Sequence, residues 1–196
     1  MTSFDLVDRL LSFLDEHTSS ASSFLLGVSG GCDSMVLMDV FARARRDRNL
    51  TGYVLHYNHR LHERAGKARD LVRAQAWDRE LTVVTASAYQ PAEMKRTRRG
   101  LEAEARDRRY EFFGSVAAHL DVSGILLAHH RRDQVETVLL NLGRGTGPGG
   151  LSGMEPRAER NSLTVIRPFL SVPAQRLEEY VRERDLPYVE DPSTDF

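Results

Sequence analysis

The sequence predicts a doubly wound α/β fold with a mainly parallel, five-stranded sheet and helices on both faces. Short apolar runs alternate with longer amphipathic stretches along the whole chain. The run at 24–28 is fully apolar and breaks into glycines, which is typical of a strand buried on both faces of a parallel sheet. Polar motifs follow three of the predicted strands, where the ligands of such sheets bind.

The predicted elements alternate between strand and helix after an initial helix. That first helix, 4–17, carries apolar residues at helical spacing and ends before a serine-rich loop. Strands are predicted at 24–28, 52–57, 81–86, 124–128 and 163–167. Further helices are predicted at 34–46, 62–79, 101–119, 133–142 and 173–184.

Length and composition indicate one domain. The 196 residues, of which 41% are hydrophobic and 28% charged, suffice for a single buried core, so we expect one domain over 1–196. The longest apolar runs are far shorter than the roughly 20 residues of a membrane span. The N-terminal segment carries acid where a signal peptide carries basic charge. We therefore expect a cytoplasmic protein with no membrane partner.

Cysteine and charge content exclude further classes. Cys32 is the single cysteine, so the chain can form neither an intrachain disulfide nor a multi-cysteine zinc or iron–sulfur site. The net charge is -1, so the chain as a whole is not a general polyanion binder. Basic side chains concentrate between Lys95 and Arg109. This segment is interpreted either as an RNA contact or as a solvated loop and helix face.

The first motif is Ser29-Gly30-Gly31-Cys32-Asp33-Ser34, between a predicted buried strand and a helix start. Free backbone N–H groups and the helix dipole favour an anion there, and glycines let phosphate oxygens approach the backbone. Asp33 could hold phosphates only through a magnesium ion, because like charges repel. A simple helix cap after a glycine turn is the alternative interpretation.

Two other nucleotide-binding motifs are excluded. The sequence contains no Gly-x-x-x-x-Gly-Lys-Ser/Thr loop, so a Walker-type nucleotidase is not supported. The glycines from Gly145 to Gly150 match Gly-x-Gly-x-x-Gly, but they follow a predicted helix and include Pro148, which removes a backbone donor.

The motif at 29–34 resembles the loop of the PP-loop ATP pyrophosphatases, which carries Ser-Gly-Gly-x-Asp-Ser after the first strand. That group includes tRNA thiolases, GMP and asparagine synthetases and tRNA(Ile)-lysidine synthetases. The resemblance implies a Rossmann-like fold of the adenine nucleotide alpha hydrolase type.

A second motif follows the fourth predicted strand. Asp133 and Glu136 are three residues apart, so both carboxylates lie on one face of a helix. They could bind magnesium or an incoming amine, while a histidine such as His130 neutralises phosphate charge or moves a proton. Acids capping a helix N-terminus are the alternative interpretation.

The chain resembles the tRNA(Ile)-lysidine synthetase family in segments that run in order from about residue 24 to the end. The matching segments are 29–34, 56–61, 102–110, 128–137, 144–154, 166–170 and 190–193. Enzymes of that family use ATP to adenylate C2 of the wobble cytidine in tRNA(Ile), and free lysine then displaces AMP. The resemblance implies this reaction on a CAU anticodon, with ATP and Mg²⁺ as cofactors and tRNA(Ile) and free lysine as partners.

The resemblance also implies roles for individual residues. Nucleotide binding is implied for Ser29, Gly30, Gly31, Cys32, Asp33, Ser34, His56 and Asn58. Catalysis is implied for Asp33, His130, Asp133 and Glu136, with Asp33 and Asp133 also as Mg²⁺ ligands. Contact with phosphate, substrate or tRNA is implied for Arg106, Arg109 and Arg144. A homodimer is a further expectation.

The sequence departs from the family pattern at two places. Arg132 stands where the family usually has the first of two aspartates, and the chain stops at Phe196, so the family's C-terminal tRNA-binding domains are expected to be absent. An ATP-binding module without ligase activity is therefore an alternative. Another tRNA-modifying PP-loop ATPase is a second alternative, although a thiolase would need further cysteines.

Overall fold

The computed structural model describes residues 5–18, 23–58, 65–87, 101–145, 152–160 and 163–190, with the backbone alone for 101–105. Within these ranges the helices are α1 (Leu6–His17), α2 (Cys32–Asp47), α3 (Ala65–Asp78), α4 (Leu101–Leu120), α5 (Arg131–Gly143) and α6 (Ala174–Arg184). The strands are β1 (Ser23–Gly27), β2 (Thr51–Asn58), β3 (Thr82–Ser87), β4 (Ile125–Leu126), β5 (Arg157–Arg160) and β6 (Leu163–Ile166).

The strands form one twisted layer in the order β3-β2-β1-β4-β6-β5. All neighbouring pairs are parallel except β5 with β6. The chain leaves β1 toward β2 and β3, and later returns to β4 on the other side of β1. The point between β1 and β4 is therefore a topological switch point, where the loops after two adjacent strands separate and leave a crevice for a ligand.

Helices cover both faces of the sheet because β1 is apolar on both. Phe24 and Leu26 pack with residues of α1, α2 and α6 in the larger core. Leu25, between them, packs on the opposite face with Tyr110 and Phe113 of α4. A strand that is buried on both faces has apolar residues at successive positions, and the sequence has such an apolar run at 24–28.

The predicted fold class is confirmed, with one correction to the strand count. The sheet has six strands rather than five. The additional strand is β5, whose sequence Arg-Ala-Glu-Arg has no large apolar side chain, because it pairs only at the edge of the sheet. The predictions for residues 59–64, 95–100 and 146–151 lie outside the described residues.

No helix in the described part of the chain is both long enough and apolar enough to span a bilayer.

A close approach between α2 and β2 gives a test of the packing. A Cβ added at Gly52 would overlap the fully buried ring of Phe41. We expect Gly52→Ala to lower the free energy of unfolding by about 1–3 kcal/mol, because the core has no room for the methyl group. Urea denaturation followed by circular dichroism would measure the change.

Gly114→Ala is the matched control. Nothing lies within 4 Å of a Cβ added at Gly114, which is in the interior of α4. We expect this substitution to raise the free energy of unfolding by about 0.5–1 kcal/mol, the usual gain of Gly to Ala in a helix. Equal effects of the two substitutions would contradict the packing described between α2 and β2.

Candidate functional site

The loop that joins β1 to α2 is the first part of the site. Gly31 is the N-cap of α2 and makes no side-chain capping bond. Gly30 has φ of 97°, in the left-handed region that side chains disfavour, and a Cβ there would lie 3.1 Å from the Cβ of Ala68. Both constraints favour glycine at residue 30, so the loop has the backbone shape that the motif predicts.

Two serine hydroxyls fold this loop on itself. Ser34 Oγ donates to the Gly31 carbonyl oxygen at 2.9 Å and accepts from the Gly30 N–H at 3.1 Å. Ser29 Oγ accepts from the Gly31 N–H at 3.3 Å and lies 3.2 Å from Ser34 Oγ. The N–H groups in the first turn of α2, at 32–34, have no acceptor within the helix, and they lie at its positive end. The loop thus forms a backbone site suited to an anion.

Cys32, inside this loop, is a neutral thiol. Burial raises its pKa to about 11, and the nearby carboxylates of Asp33 and Glu178 act in the same direction. Since the thiolate is the reactive form of cysteine, Cys32 is suited to packing beside the anion site rather than to attack on a substrate.

His130 joins the loop after β1 to the loop after β4. Its side chain is 7% exposed, and its Nε2 lies 3.5 Å from Asp33 Oδ2. On the other edge of the ring, Nδ1 lies 3.2 Å from Asp133 Oδ2. The same Asp133 oxygen accepts the His130 backbone N–H at 2.7 Å. Three of the predicted site residues therefore meet at the switch point.

The protonation of His130 decides which partner its Nδ1 takes. In the neutral ring Nδ1 can accept from the Arg132 backbone N–H at 3.2 Å, which caps α5 and leaves the proton on Nε2, toward Asp33. A second proton would turn Nδ1 toward Asp133 as a donor. Burial opposes the charged form, but the hydrogen bond to Asp33 and the charges of Asp133 and Asp33 outweigh it and raise the pKa of His130.

Asp33 and Asp133 have the chemistry of magnesium ligands. Carboxylate oxygens are the ligands that Mg²⁺ prefers, and the ion commonly takes only one or two of them together with substrate phosphates and waters. The two side chains are 42% and 34% exposed, which leaves both accessible beside the anion-binding loop. Within the described ranges no three His, Cys, Asp or Glu side chains group as a metal site. The two carboxylates fit an ion that is bound jointly with nucleotide phosphates.

Glu136 and Arg144 lie farther along α5. Both are exposed, and with Leu139, Leu140 and Gly143 they line a shallow depression that is open to solvent on the surface of α5. Arg144 follows the last turn of the helix, roughly 20 Å from His130 at 1.5 Å per residue. The structure therefore does not bring Arg144 to the loop at 29–34, although Asp133 and Glu136 share a side of the helix.

His56 and Asn58 lie at the carboxyl end of β2, next to β1. Both are buried, and His56 Nδ1–H donates to the Val28 carbonyl oxygen at 2.9 Å. Burial lowers the pKa of His56, so the ring is neutral, and its Nε2 is buried without a hydrogen-bond partner. Nucleotide binding by His56 and Asn58 stays a prediction, and the structure places both residues beside the anion-binding loop.

Arg106 and Arg109 lie on α4, on the other face of the sheet from α2. Their guanidinium carbons are 6.0 and 5.9 Å from the centre of the buried Tyr110 ring. His129 lies near both arginines, and burial together with Arg167, Arg109 and Arg106 lowers its pKa to about 3. The two predicted arginines thus lie on the side of His129 rather than at the loop of residues 29–34.

Several contacts at the site were not predicted from the sequence. Arg132, the departure from the family pattern, pairs with Glu178 of α6 at 3.4 Å and not with the loop. Gln134 binds both the N–H and the carbonyl oxygen of Met154, which fixes the segment after residue 151 to α5. The Val189 N–H donates to the Gly30 carbonyl oxygen at 2.9 Å. No local pattern could reveal these contacts, because each joins distant parts of the chain.

Sequence comparisons agree with this geometry. Residues 3–195 match the PP-loop domain family. A tRNA(Ile)-lysidine synthase from Thermotoga sp. (strain RQ2) is 37% identical over 167 residues, which are 85% of this chain and 39% of that protein. The bifunctional protein TilS/HprT of Listeria innocua is 32% identical over 191 residues, which are 96% of this chain and 30% of that protein. The chain thus spans roughly a third of the length of these relatives.

A comparison of structures shows the fold alone. The U34-tRNA thiolase NcsA from Methanococcus maripaludis, solved with its 4Fe-4S cluster, superposes with a TM-score of 0.80. The match covers 95% of this chain and 65% of that one at 13% sequence identity. The doubly wound sheet is therefore shared with a protein of very different sequence.

The contact between His130 and Asp33 predicts a pH effect. We expect Asp33→Asn to lower the pKa of His130, since the substitution removes one of the two carboxylates that stabilise the imidazolium. NMR titration of the histidine ring signals in metal-free buffer would measure this. His129 stays neutral in both proteins above about pH 5 and serves as internal control, because its pKa is about 3.

The same contact affects stability with a defined sign. A folded-state pKa above the unfolded value of about 6.5 gives stabilisation that is complete below that pH and is lost as pH rises through the folded pKa. The difference in unfolding free energy between the parent chain and Asp33→Asn should therefore shrink as pH rises. A difference independent of pH would contradict the raised pKa of His130.

Proposed function

This chain belongs to the PP-loop domain family, and from that premise we propose that it uses ATP to join free lysine to the wobble cytidine of a tRNA(Ile) with a CAU anticodon. The observation that carries the proposal is the meeting of Asp33, His130 and Asp133 beside the anion-binding loop. Activation by ATP needs a pyrophosphate site and a charge-neutralising group next to one another. The name of the Thermotoga relative, a tRNA(Ile)-lysidine synthase, supports tRNA as the substrate.

In the first proposed step, the C2 oxygen of the cytidine attacks the α-phosphorus of ATP. The bond from that phosphorus to the pyrophosphate breaks, and an adenylated cytidine and free pyrophosphate result. The N–H groups at the start of α2 would hold the pyrophosphate, and the end of β2 at His56 and Asn58 would accept the adenosine. Mg²⁺ on Asp33 and Asp133 would neutralise the leaving charge.

In the second proposed step, the neutral ε-amine of lysine attacks C2. A carbon–nitrogen bond forms, the carbon–oxygen bond to the adenylate breaks, and AMP leaves with the oxygen. The attacking nitrogen loses a proton to water in this step. His130, whose pKa is raised by its hydrogen bond to Asp33 and by the charges of Asp133 and Asp33 against the effect of burial, is the residue suited to neutralise charge on the AMP phosphate.

The exposed side of α5 supports lysine as the second substrate. Glu136 lies at one end of this open surface of α5, Arg144 at the other, and Leu139 and Leu140 lie between them in the sequence of the helix. The eight-residue spacing of the two residues is about 12 Å along the helix axis. A carboxylate at Arg144, an apolar chain on the leucines and an ammonium at Glu136 would complement this surface. The ammonium end would then point toward His130.

The competing thiolase function has less support. Sulfur transfer needs a reactive thiolate, and the single cysteine has a pKa of about 11. The other alternative is an ATP-binding module without ligase activity. Measuring lysine incorporation distinguishes this module from a ligase.

The test of the proposed function is incorporation of radiolabelled lysine into a CAU-anticodon tRNA(Ile) transcript by this chain, dependent on ATP. We expect Asp33→Asn to reduce the rate on the order of 100-fold, the scale of losing one charge-stabilising group at a reacting phosphate. Asp47→Asn removes the same charge at the exposed opposite end of α2 and should change the rate less than twofold. Binding of ATP without incorporation of lysine would favour the module.

The lysine site has its own test. We expect Glu136→Gln and Arg144→Gln each to raise the KM for lysine about tenfold or more, since each removes a charged partner worth about 1.5–3 kcal/mol. The KM for ATP should change less than twofold. Arg182→Gln, on the exposed side of α6, is the control for loss of one arginine. An equal rise in both KM values would rule out the assignment of this surface to lysine.

A further inference from the structure

A group of four arginines surrounds Tyr110 on the face of the sheet covered by α4. This arginine cluster consists of Arg106 and Arg109 of α4, Arg160 of β5 and Arg167 directly after β6. The guanidinium carbon of Arg160 lies 4.1 Å from the centre of the Tyr110 ring, closer than those of Arg109 and Arg106. Arg167 is 6% exposed. Two residues of α4, one residue of β5 and one residue directly after β6 thus place their positive charges around one buried ring.

The charges of the arginine cluster are not balanced by the described side chains. One ion pair is present, between Arg160 and Asp107 of α4 at 3.1 Å. The Nε atoms of Arg109 and Arg167 are buried without a hydrogen-bond partner. Burial and the neighbouring arginines lower the pKa of both side chains. Cations held together in this way favour a bound anion that supplies both acceptors and negative charge.

His129 connects the arginine cluster to the candidate active site. Its ring is neutral, and its buried Nδ1 has no hydrogen-bond partner. The next residue, His130, contacts Asp33 of the PP-loop. Consecutive histidines therefore face two different groups of charges, one on each side of the switch point.

The two sides of the sheet separate the two anion sites. The PP-loop begins α2, which packs in the larger core, whereas the cluster surrounds Tyr110 of the opposite core. When a nucleoside triphosphate occupies the PP-loop, the arginine cluster on the other face is available to bind a second anionic substrate. Guanidinium groups bind phosphate oxygens in pairs and remain charged when partly buried.

We propose that the arginine cluster, with His129, binds a backbone phosphate of the RNA strand next to the nucleotide that reacts at His130. This inference rests on the proposed function, which makes RNA the second substrate. It assigns a role to Arg160 and Arg167 in addition to Arg106 and Arg109. The phosphate would hold the strand on the face of the sheet that α4 covers, with the reacting base toward the PP-loop.

The test compares two arginines of the same strand. Binding of a fluorescein-labelled CAU anticodon stem-loop RNA to the full chain is measured by anisotropy at several salt concentrations. We expect Arg160→Gln to weaken binding about tenfold and to reduce the salt slope by about one unit, as for loss of one phosphate contact. Arg157→Gln, at the exposed start of β5, removes the same charge and should weaken binding less than twofold. Equal losses in the two variants would overturn the proposal, as would no measurable RNA binding by the parent chain at low salt.

A second variant separates RNA contact from stability. Asp107→Asn breaks the same ion pair but frees Arg160, so it should strengthen RNA binding two- to threefold. If it weakens binding as much as Arg160→Gln does, the ion pair is only structural and the proposal is wrong. Titration with pyrophosphate alone separates the two sources of phosphate. An effect of Arg160→Gln on pyrophosphate affinity but not on RNA affinity would assign the cluster to the nucleotide instead.

The RNA measurement uses neither ATP nor lysine. Failure of lysine incorporation would therefore overturn the proposed function without affecting the binding result. Loss of the binding difference would overturn the cluster assignment while incorporation could still be observed.

Discussion

The contact of one imidazole with two carboxylates joins the parts of this site. His130 lies between Asp33, in the first turn of α2, and Asp133, in the first turn of α5. Both helices therefore begin at the same ring, and both positive helix ends are directed at the same crevice. The carboxylates reduce that positive potential, and the ring separates the carboxylates from one another. A substrate phosphate or a metal ion that enters the crevice changes the balance of all three groups.

The topology explains why such a contact can form between Asp33 and His130, which are 97 positions apart in the chain. The strand order places β1 beside β4, so the loops after them are neighbours. The two halves of the sheet then diverge, and the crevice opens between the loops. His129 and His130 lie at its border, one near the arginines of the α4 face and the other near the PP-loop. The same short segment thus serves both faces of the sheet.

The sequence predicted the elements better than their long-range contacts. Buried strands and amphipathic helices have a local periodicity, so β1, α2 and α6 could be located from their apolar residues. The edge strand β5 has no such pattern, because its residues need only backbone pairing with β6. The PP-loop could be located because glycines between a strand and a helix have few other uses.

The candidate site was predicted in part for the same reason. The spacing of Asp133 and Glu136 fixed their common side of α5, but only the strand order brings Asp33 to His130. Arg160 and Arg167 were missed, since nothing in their local sequence indicates that they surround Tyr110. The hydrogen bond from Val189 to Gly30 was missed as well. It holds the peptide after Gly30 in one orientation, so a flip of that peptide would break a bond to a distant segment. The conformational entropy of the glycine loop is consequently lost when the chain folds, and an arriving anion meets a backbone that is already ordered.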